Sequence, residues 1–320
     1  MRIPFQIPTD KEFDAVGFGL NAVDHLLVVP AYPEFDTKVR FLEYQKSAGG
    51  QTATAMVALQ RLGLKTAYAG RFGSDENGRF GWLATQKEGV NLEYAQTIEG
   101  ANNQIAFIII DTRSGERTIV WDRDERLSYR RDEAPLELAS RGRILHLDAH
   151  DPPACVAMAL TARAAGAVIT ADIDNVYPGL PELLPLIDVL ISSADFPYRL
   201  TGMKDLRASL RELKTRYGCT ILGATLGSRG ALVLCDDQFI ESPAFEVPGG
   251  CRDTTGAGDA FHAGFIYGML READLETCLK LGNAVAALKC RSLGSRRALP
   301  APDELKQFTG ISGAGINCPD

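Results

Sequence analysis

Asp253-Thr-Thr-Gly-Ala-Gly-Asp259, followed by Ala260-Phe-His-Ala-Gly264, is the stretch that decides how the chain is read. It is a turn that opens directly into a helix. Gly256, Ala257 and Gly258 leave backbone N–H groups uncovered at the helix N-terminus, where donors and dipole together make an anion site. Asp259 falls in the first helical turn, beside the same hole. A carboxylate next to an anion hole suits phosphoryl transfer. The carboxylate takes a proton from a hydroxyl while the amides carry the charge on the transferring group. A plain helix start, with glycine for tightness and aspartate for the dipole, accounts for a bare Gly-x-Gly-Asp. It accounts less well for the whole heptad behind a β-rich segment.

Working outward, this helix (Ala260 to Arg271) and the next (Leu275 to Cys290) close a regular alternation. Strand patterns at 143–147, 167–170, 186–192, 220–222 and 231–235 alternate with helix patterns at 154–165 and 204–217. Glycines at 166 and 218 stand where helix ends need them. Strands alternating with helices of this length predict βαβ units and a doubly wound, mostly parallel α/β sheet. The first half adds a buried strand from Asp14 and helices at 50–62 and 76–87. Its other β-rich pieces, Lys38 to Tyr44, Gln104 to Ile110 and Arg117 to Trp121, do not fit the βαβ rhythm. The last two flank the hairpin turn Asp111-Thr-Arg-Ser-Gly115. They predict a small second sheet, with strands within about 36–46 and 100–124, that acts as a lid. The whole of 1–320 reads as one domain, with residues 309–320 a flexible tail rich in Gly and Ser.

Composition narrows the function. The 320 residues are 45% hydrophobic and 23% charged, an ordinary globular balance. With 34 Lys+Arg against 41 Asp+Glu, the net charge of −7 argues against a nucleic-acid binder. Apolar runs such as Ile105 to Ile110 are too short to span a membrane, and the N-terminus lacks an apolar secretory core. Seven cysteines, none spaced as C-x-x-C, fit reduced thiols and a cytoplasmic protein. The 31 glycines suggest many tight turns or loops that approach a ligand. Gly17-Phe-Gly19 does not complete a dinucleotide fingerprint, because position 22 is Ala, and no Walker A loop is present.

Asp253 to Asp259 resembles the C-terminal signature of the PfkB/ribokinase carbohydrate kinases. Gly49-Gly50-Gln51 resembles that family's Gly-Gly-Asn turn, and Gly70-Arg-Phe-Gly-Ser-Asp75, completed by Gly78, its GxxGxDxxG segment. Thr225-Leu-Gly-Ser-Arg-Gly230 resembles its ATP-contacting loop. Asn283 to Leu288 resembles the helix beside the adenine. The resemblance covers about residues 14 to 300 and implies a ribokinase-like three-layer fold with a lid, MgATP as phosphoryl donor, and a sugar as acceptor. It implies Asp259 as base and the amides of Gly256, Ala257 and Gly258 as anion hole. Asp24, Gly49, Gly50, Gln51 and Thr54 would bind the sugar, and Thr225, Gly227, Gly230 and Asn283 the nucleotide. Asp253 and Thr255 fall where some members hold a monovalent cation such as K+.

Three departures colour the substrate. Gln51 and Thr54 stand where the family carries asparagines. The family's Asn-x-x-Glu is replaced by Ser193-Ala-Asp195-Phe196, which leaves Asp195 to hold Mg2+ through water. That segment and Val285 to Cys290 are similar to the ketohexokinase and sulfofructose kinase branch, which suggests a ketose-like sugar. Lys38 and Arg117 are the residues that would contact an anionic acceptor. His150, where anion-binding members place an arginine, argues for a neutral one. A nucleoside kinase, with Phe41, Phe107 or Trp121 stacking on a base, and a non-catalytic sugar-binding regulator are the competing readings. Exposed apolar residues on the lid suggest a homodimer formed through it.

Overall fold

The structure, a computed structural model, describes residues 1–113 and 115–311. In chain order the first half holds β1 (Phe13–Phe18), β2 (Ala22–Val29), β3 (Glu43–Gly49), α1 (Gln51–Arg61), β4 (Thr66–Ala69), β5 (Arg71–Gly73), α2 (Glu76–Lys87), β6 (Gln96–Ile98), β7 (Ile105–Asp111) and β8 (Arg117–Asp122). The middle holds α3 (Leu136–Arg141), β9 (Gly142–Leu147), α4 (Pro152–Ala164), β10 (Val168–Ala171), α5 (Leu180–Leu183), β11 (Val189–Ser193), α6 (Asp195–Thr201) and α7 (Leu206–Tyr217). The chain ends with β12 (Ile221–Thr225), β13 (Ala231–Cys235), β14 (Gln238–Ser242), α8 (Ala257–Leu270), α9 (Leu275–Lys289) and α10 (Pro302–Thr309).

Eight strands form the main sheet, in the order β14-β13-β12-β11-β10-β9-β1-β4. The run from β4 to β12 is parallel, and β13 and β14 add an antiparallel edge. Parallel strands are buried on both faces, so they read as continuous apolar runs rather than alternating ones. Successive residues show this directly. Ile144, Val168, Val189 and Ile221 face the core made with α1, α8 and α9. Their neighbours Leu145, Ile169, Leu190 and Leu222 face the core made with α3, α4, α5 and α7. The result is the three-layer α/β arrangement expected from the sequence.

α8 and α9 touch backbone to backbone. A Cβ at Gly264 would lie 2.5 Å from the Leu281 carbonyl oxygen, and one at Gly282 would lie 2.8 Å from the Phe261 ring. Glycine at both places lets the two helices approach closely enough to share one wall of the cleft described below.

The smaller sheet has the order β3-β2-β7-β8. Its inner face buries Leu26, Val28, Ala106, Ile108 and Ile110 against Leu293. Two expectations about this lid need correction. Of the expected strand Lys38 to Tyr44 only the last two residues are in one: residues 36–42 are irregular and exposed, Asp36 has φ +59°, and β3 begins at Glu43. The central lid strand, β2, was not anticipated, because Ala22–Val29 follows β1 after a short loop and breaks the βαβ rhythm. Of the expected tail, Thr309 instead ends α10, capped by Gly310 at φ +66°, and residues 312–320 lie outside the described residues. No helix among the described residues is long and apolar enough to cross a membrane.

Gly264→Ala forces a methyl into the α8–α9 backbone contact, and overpacking of this kind costs about 1–3 kcal/mol. Thermal unfolding should show a lower midpoint for Gly264→Ala than for Gly81→Ala, a position inside α2 where a Cβ would meet nothing closer than 3.4 Å.

Candidate active site

Parallel α/β sheets bind ligands beyond the carboxyl ends of their strands, and this chain follows the rule. A cleft of about 990 Å³ opens there, roofed by the lid. Its floor is built from residues that follow the strands: Leu20 after β1, His150 after β9, Asp172 and Asp174 after β10, Ser193 at the end of β11 and Thr225 at the end of β12. Asp24, Ala106, Ile108, Arg117, Ile119 and Trp121 line it from the lid, and Gly256 to Asp259 from α8.

The turn into α8 is held tightly. Gly256 caps the helix at φ +76°, and a Cβ there would lie 2.5 Å from Ser295. The Ala257 amide donates to the Thr254 carbonyl at 3.1 Å. The Gly256 and Gly258 amides make no backbone hydrogen bond among the described residues and remain for an anion. The Thr255 hydroxyl is buried, lines the cleft and has no partner among the described residues, so it is available to a ligand oxygen. Asp259 sits in the first turn of α8. Burial, and then the charges of Asp172 and Asp24, hold its carboxyl well above the ordinary carboxylate range.

The other end of the cleft is also acidic. Asp24, on β2, is 5% exposed, and burial pushes its carboxyl up to about 7. Burial likewise raises Asp172, but His262 and a hydrogen bond from Gln51 outweigh it and leave that carboxyl low. His262 Nε2 lies 3.4 Å from Asp172 Oδ1. His146 is driven down to about 3, chiefly by burial, so it stays neutral. Beneath the site lies Arg296, a buried guanidinium that donates to the Gly49 carbonyl at 2.7 Å and to the Thr85 hydroxyl at 2.9 Å. Burial lowers it to about 10, and Asp24 and Asp259 are among the charges that hold it ionised.

The expected residues divide clearly. Asp259, Gly256, Ala257, Gly258, Asp24, Gly50, Gln51, Arg117, Thr225, Gly227, Gly230, Asn283 and Thr255 all line the one cleft. Gly49 does not, although a Cβ there would lie 2.2 Å from Asp24 Oδ2, so it makes room for that carboxylate. Thr54 is buried below the site, where its hydroxyl accepts from Arg296 at 3.3 Å. Lys38 is exposed on the irregular loop, away from the cleft. Asp195 is exposed at the start of α6 and does not line the cleft; the carboxylate that does is Asp174. Asn283 spends its amide donors on Ser242 and Pro243 at 3.0–3.1 Å, pinning the loop after β14. Asp253 is fully buried, and its oxygens are already engaged. Asp172, Asp174 and Arg296 were missed. The first two follow a strand that was read as ending at Thr170; a carboxylate at the carboxyl end of a parallel strand was the available signal.

The family model described as pfkB family carbohydrate kinase matches residues 15–302. The chain belongs to that family. The kinase is 32% identical over 255 residues to an uncharacterized sugar kinase of Archaeoglobus fulgidus, covering 76% of this chain and 98% of that one. It is 27% identical to the ribokinase of Haemophilus influenzae, covering 90% and 95% of the two chains. Among solved structures, a putative ribokinase from Agrobacterium tumefaciens superposes with a TM-score of 0.85 at 27% identity, covering 93% and 97%.

Asp24 is a carboxyl whose folded-state value lies above its unfolded value. Between about pH 4 and 7 the unfolded chain releases that proton while the folded kinase keeps it, so stability falls as pH rises through this window. Urea unfolding of Asp24→Asn should lose less stability from pH 4 to 7 than wild type, by on the order of 2 kcal/mol. An equal loss in both proteins would mean that Asp24 ionises freely.

Proposed function

We propose that this chain is a single-domain, ATP-dependent kinase for a small neutral sugar, ketose-like in kind. The observation that carries the reading is the place of Asp259. Its half-buried carboxylate lies at the start of α8, in one cleft that also reaches Asp24 and Gln51 on one side and Thr225, Gly230 and Ala287 on the other. The sugar binds against Asp24, Gln51 and Asp172 under the lid. The nucleotide lies along the Thr225–Gly230 loop and α9. Asp259 takes the proton of the acceptor hydroxyl, its oxygen attacks the γ-phosphorus, and ADP leaves. The Gly256 and Gly258 amides bear the charge that develops on the transferring group. Closure of the lid keeps out water, the competing acceptor. A magnesium ion arriving with the nucleotide would neutralise phosphate charge. Asp174 and Ser193 would offer it hard oxygen donors at the cleft edge, which suit an ion keeping most of its waters.

Charge supports a neutral acceptor over a phosphorylated or sulfonated one. Asp24, Asp172, Asp174 and Asp259 all line the cleft. Arg117 and Arg199 are the arginines there, and each is hydrogen-bonded to a neutral group: Arg117 to the Thr254 hydroxyl, and Arg199 to the Asn175 side chain and the Asp174 carbonyl. Of the three candidate stacking residues, only Trp121 lines the cleft, with its ring 6.3 Å from His150. That platform is what favours the second reading, a nucleoside acceptor. The six cysteines described are all free, which supports a reducing, cytoplasmic setting.

ADP release from MgATP over a panel of ketoses, aldoses, sugar phosphates, sulfosugars and nucleosides tests both readings. A neutral sugar should win, and Asp259→Asn should lower turnover by about 10²–10⁴-fold while nucleotide binding persists. A nucleoside winner would replace the sugar reading with the second one. Near-wild-type turnover in Asp259→Asn would remove the base assignment.

The outer face of the lid supports pairing with a second copy. Phe107 and Val120 are cross-strand neighbours, 45% and 58% exposed, and β8 is a fully exposed edge strand. Light scattering should find a dimer that Val120→Glu converts to monomer; a monomeric wild type would reject the pairing.

A further inference from the structure

Lys289 is the last residue of α9, and its side chain is 0% exposed. Its ammonium donates to the backbone carbonyl of Asp253 at 2.8 Å and lies 3.8 Å from Asp253 Oδ2. Asp253 Oδ1 accepts from the Thr255 amide and Oδ2 from the Gly294 amide, each at 2.8 Å. The side chain of Asp253 is also 0% exposed. Every oxygen of this residue therefore has a donor or cation beside it. Three residues on, Gly256 begins the turn whose amides face the cleft.

A desolvated monovalent cation and an ammonium ask for the same surroundings, namely carbonyl and carboxylate oxygens out of contact with water. The Asp253 carbonyl that the sequence reading assigned to such an ion is already filled by a side chain of this protein. The fit to a free ion is therefore poor. An ammonium at the C-terminal end of a helix is also favoured by the dipole. Burial lowers its proton affinity, and the Asp253 carboxylate opposes that shift.

We propose that the Lys289 ammonium is the resident cation of the 253–258 loop, which makes the kinase independent of potassium and other monovalent ions. Lys289 is a positioning residue: it sets the loop that presents the anion-hole amides and does not touch substrate. The inference rests on the reading of that loop given above, but its test does not require an acceptor to be known.

The test compares KCl with choline chloride at equal ionic strength. Wild type should show the same Tm in both salts and, once an acceptor is in hand, ADP release equal within about twofold, which is under 0.5 kcal/mol. Lys289→Ala empties the ammonium's place. Its Tm should be lower in choline chloride, and KCl should raise it by about 3 °C through binding to the folded state. Crystals soaked in RbCl should show anomalous density beside the Asp253 carbonyl in Lys289→Ala and none in wild type. Lys289→Met, which keeps the volume without the charge, should ignore KCl. A rise in wild-type Tm with KCl, or rubidium beside Asp253 in wild type, overturns the proposal. A folded Lys289→Ala that neither gains Tm from KCl nor binds rubidium overturns it as well. If that variant does not fold, the wild-type measurements decide alone. If no acceptor is ever phosphorylated, the thermal and rubidium arms still report on Lys289, so the two readings fail separately.

Discussion

Much of the structure depends on the seating of the first turn of α8. Gly256 presses against Ser295 so closely that no side chain fits between them. Ser295 in turn donates to the Ala48 carbonyl at 3.1 Å, on the last residues of a lid strand. Its neighbour Arg296 reaches Thr54, Thr85 and the Gly49 carbonyl. One short segment after α9 thus ties the anion-facing turn to the lid and to the helix that opens at Gln51. Distortion there moves several parts of the cleft at once, because packed interiors transmit strain rather than absorb it.

The same crowding creates the electrostatics. Carboxylates gathered in a partly dry cleft raise one another's proton affinity, and an unpaired buried charge is costly. The molecule offsets this with cations placed outside the reacting surface: Arg296 below the floor and Lys289 behind the turn. Arg117 comes from the lid to the Thr254 hydroxyl, so lid and turn are hydrogen-bonded to each other. Even so, the carboxyl groups that line the cleft outnumber its two arginines, Arg117 and Arg199.

Part of this architecture was legible in the chain. Long elements with a single period were read well: the α2 range expected from Glu76 to Lys87 is the range observed. The β9, β12 and β13 patterns fell on strands, because two-sided burial leaves a continuous apolar run. The lid was read less well. Its strands are half exposed, and β3, with Glu43, Gln45 and Lys46, carries little apolar signal, so the neighbouring Lys38–Tyr44 drew the assignment instead. Lys38 and Asp195 illustrate a related failure: a residue's place in a motif-like order says nothing about which way a loop turns.

The fold class and the glycine turn that opens α8 just ahead of Asp259 were legible in the chain alone. These follow from local chemistry: period, glycine spacing and a carboxylate at a helix start. Tertiary structure alone decided that Asp172 and Asp174 join Asp24 in one cleft. It also decided that Thr54 supports Arg296 rather than facing the cleft, and that an ammonium occupies the carbonyl of Asp253. Those facts depend on which strand ends and helix ends meet in space, at sequence separations such as the 242 residues between Thr54 and Arg296. No local pattern encodes such a meeting; close packing of the whole chain does.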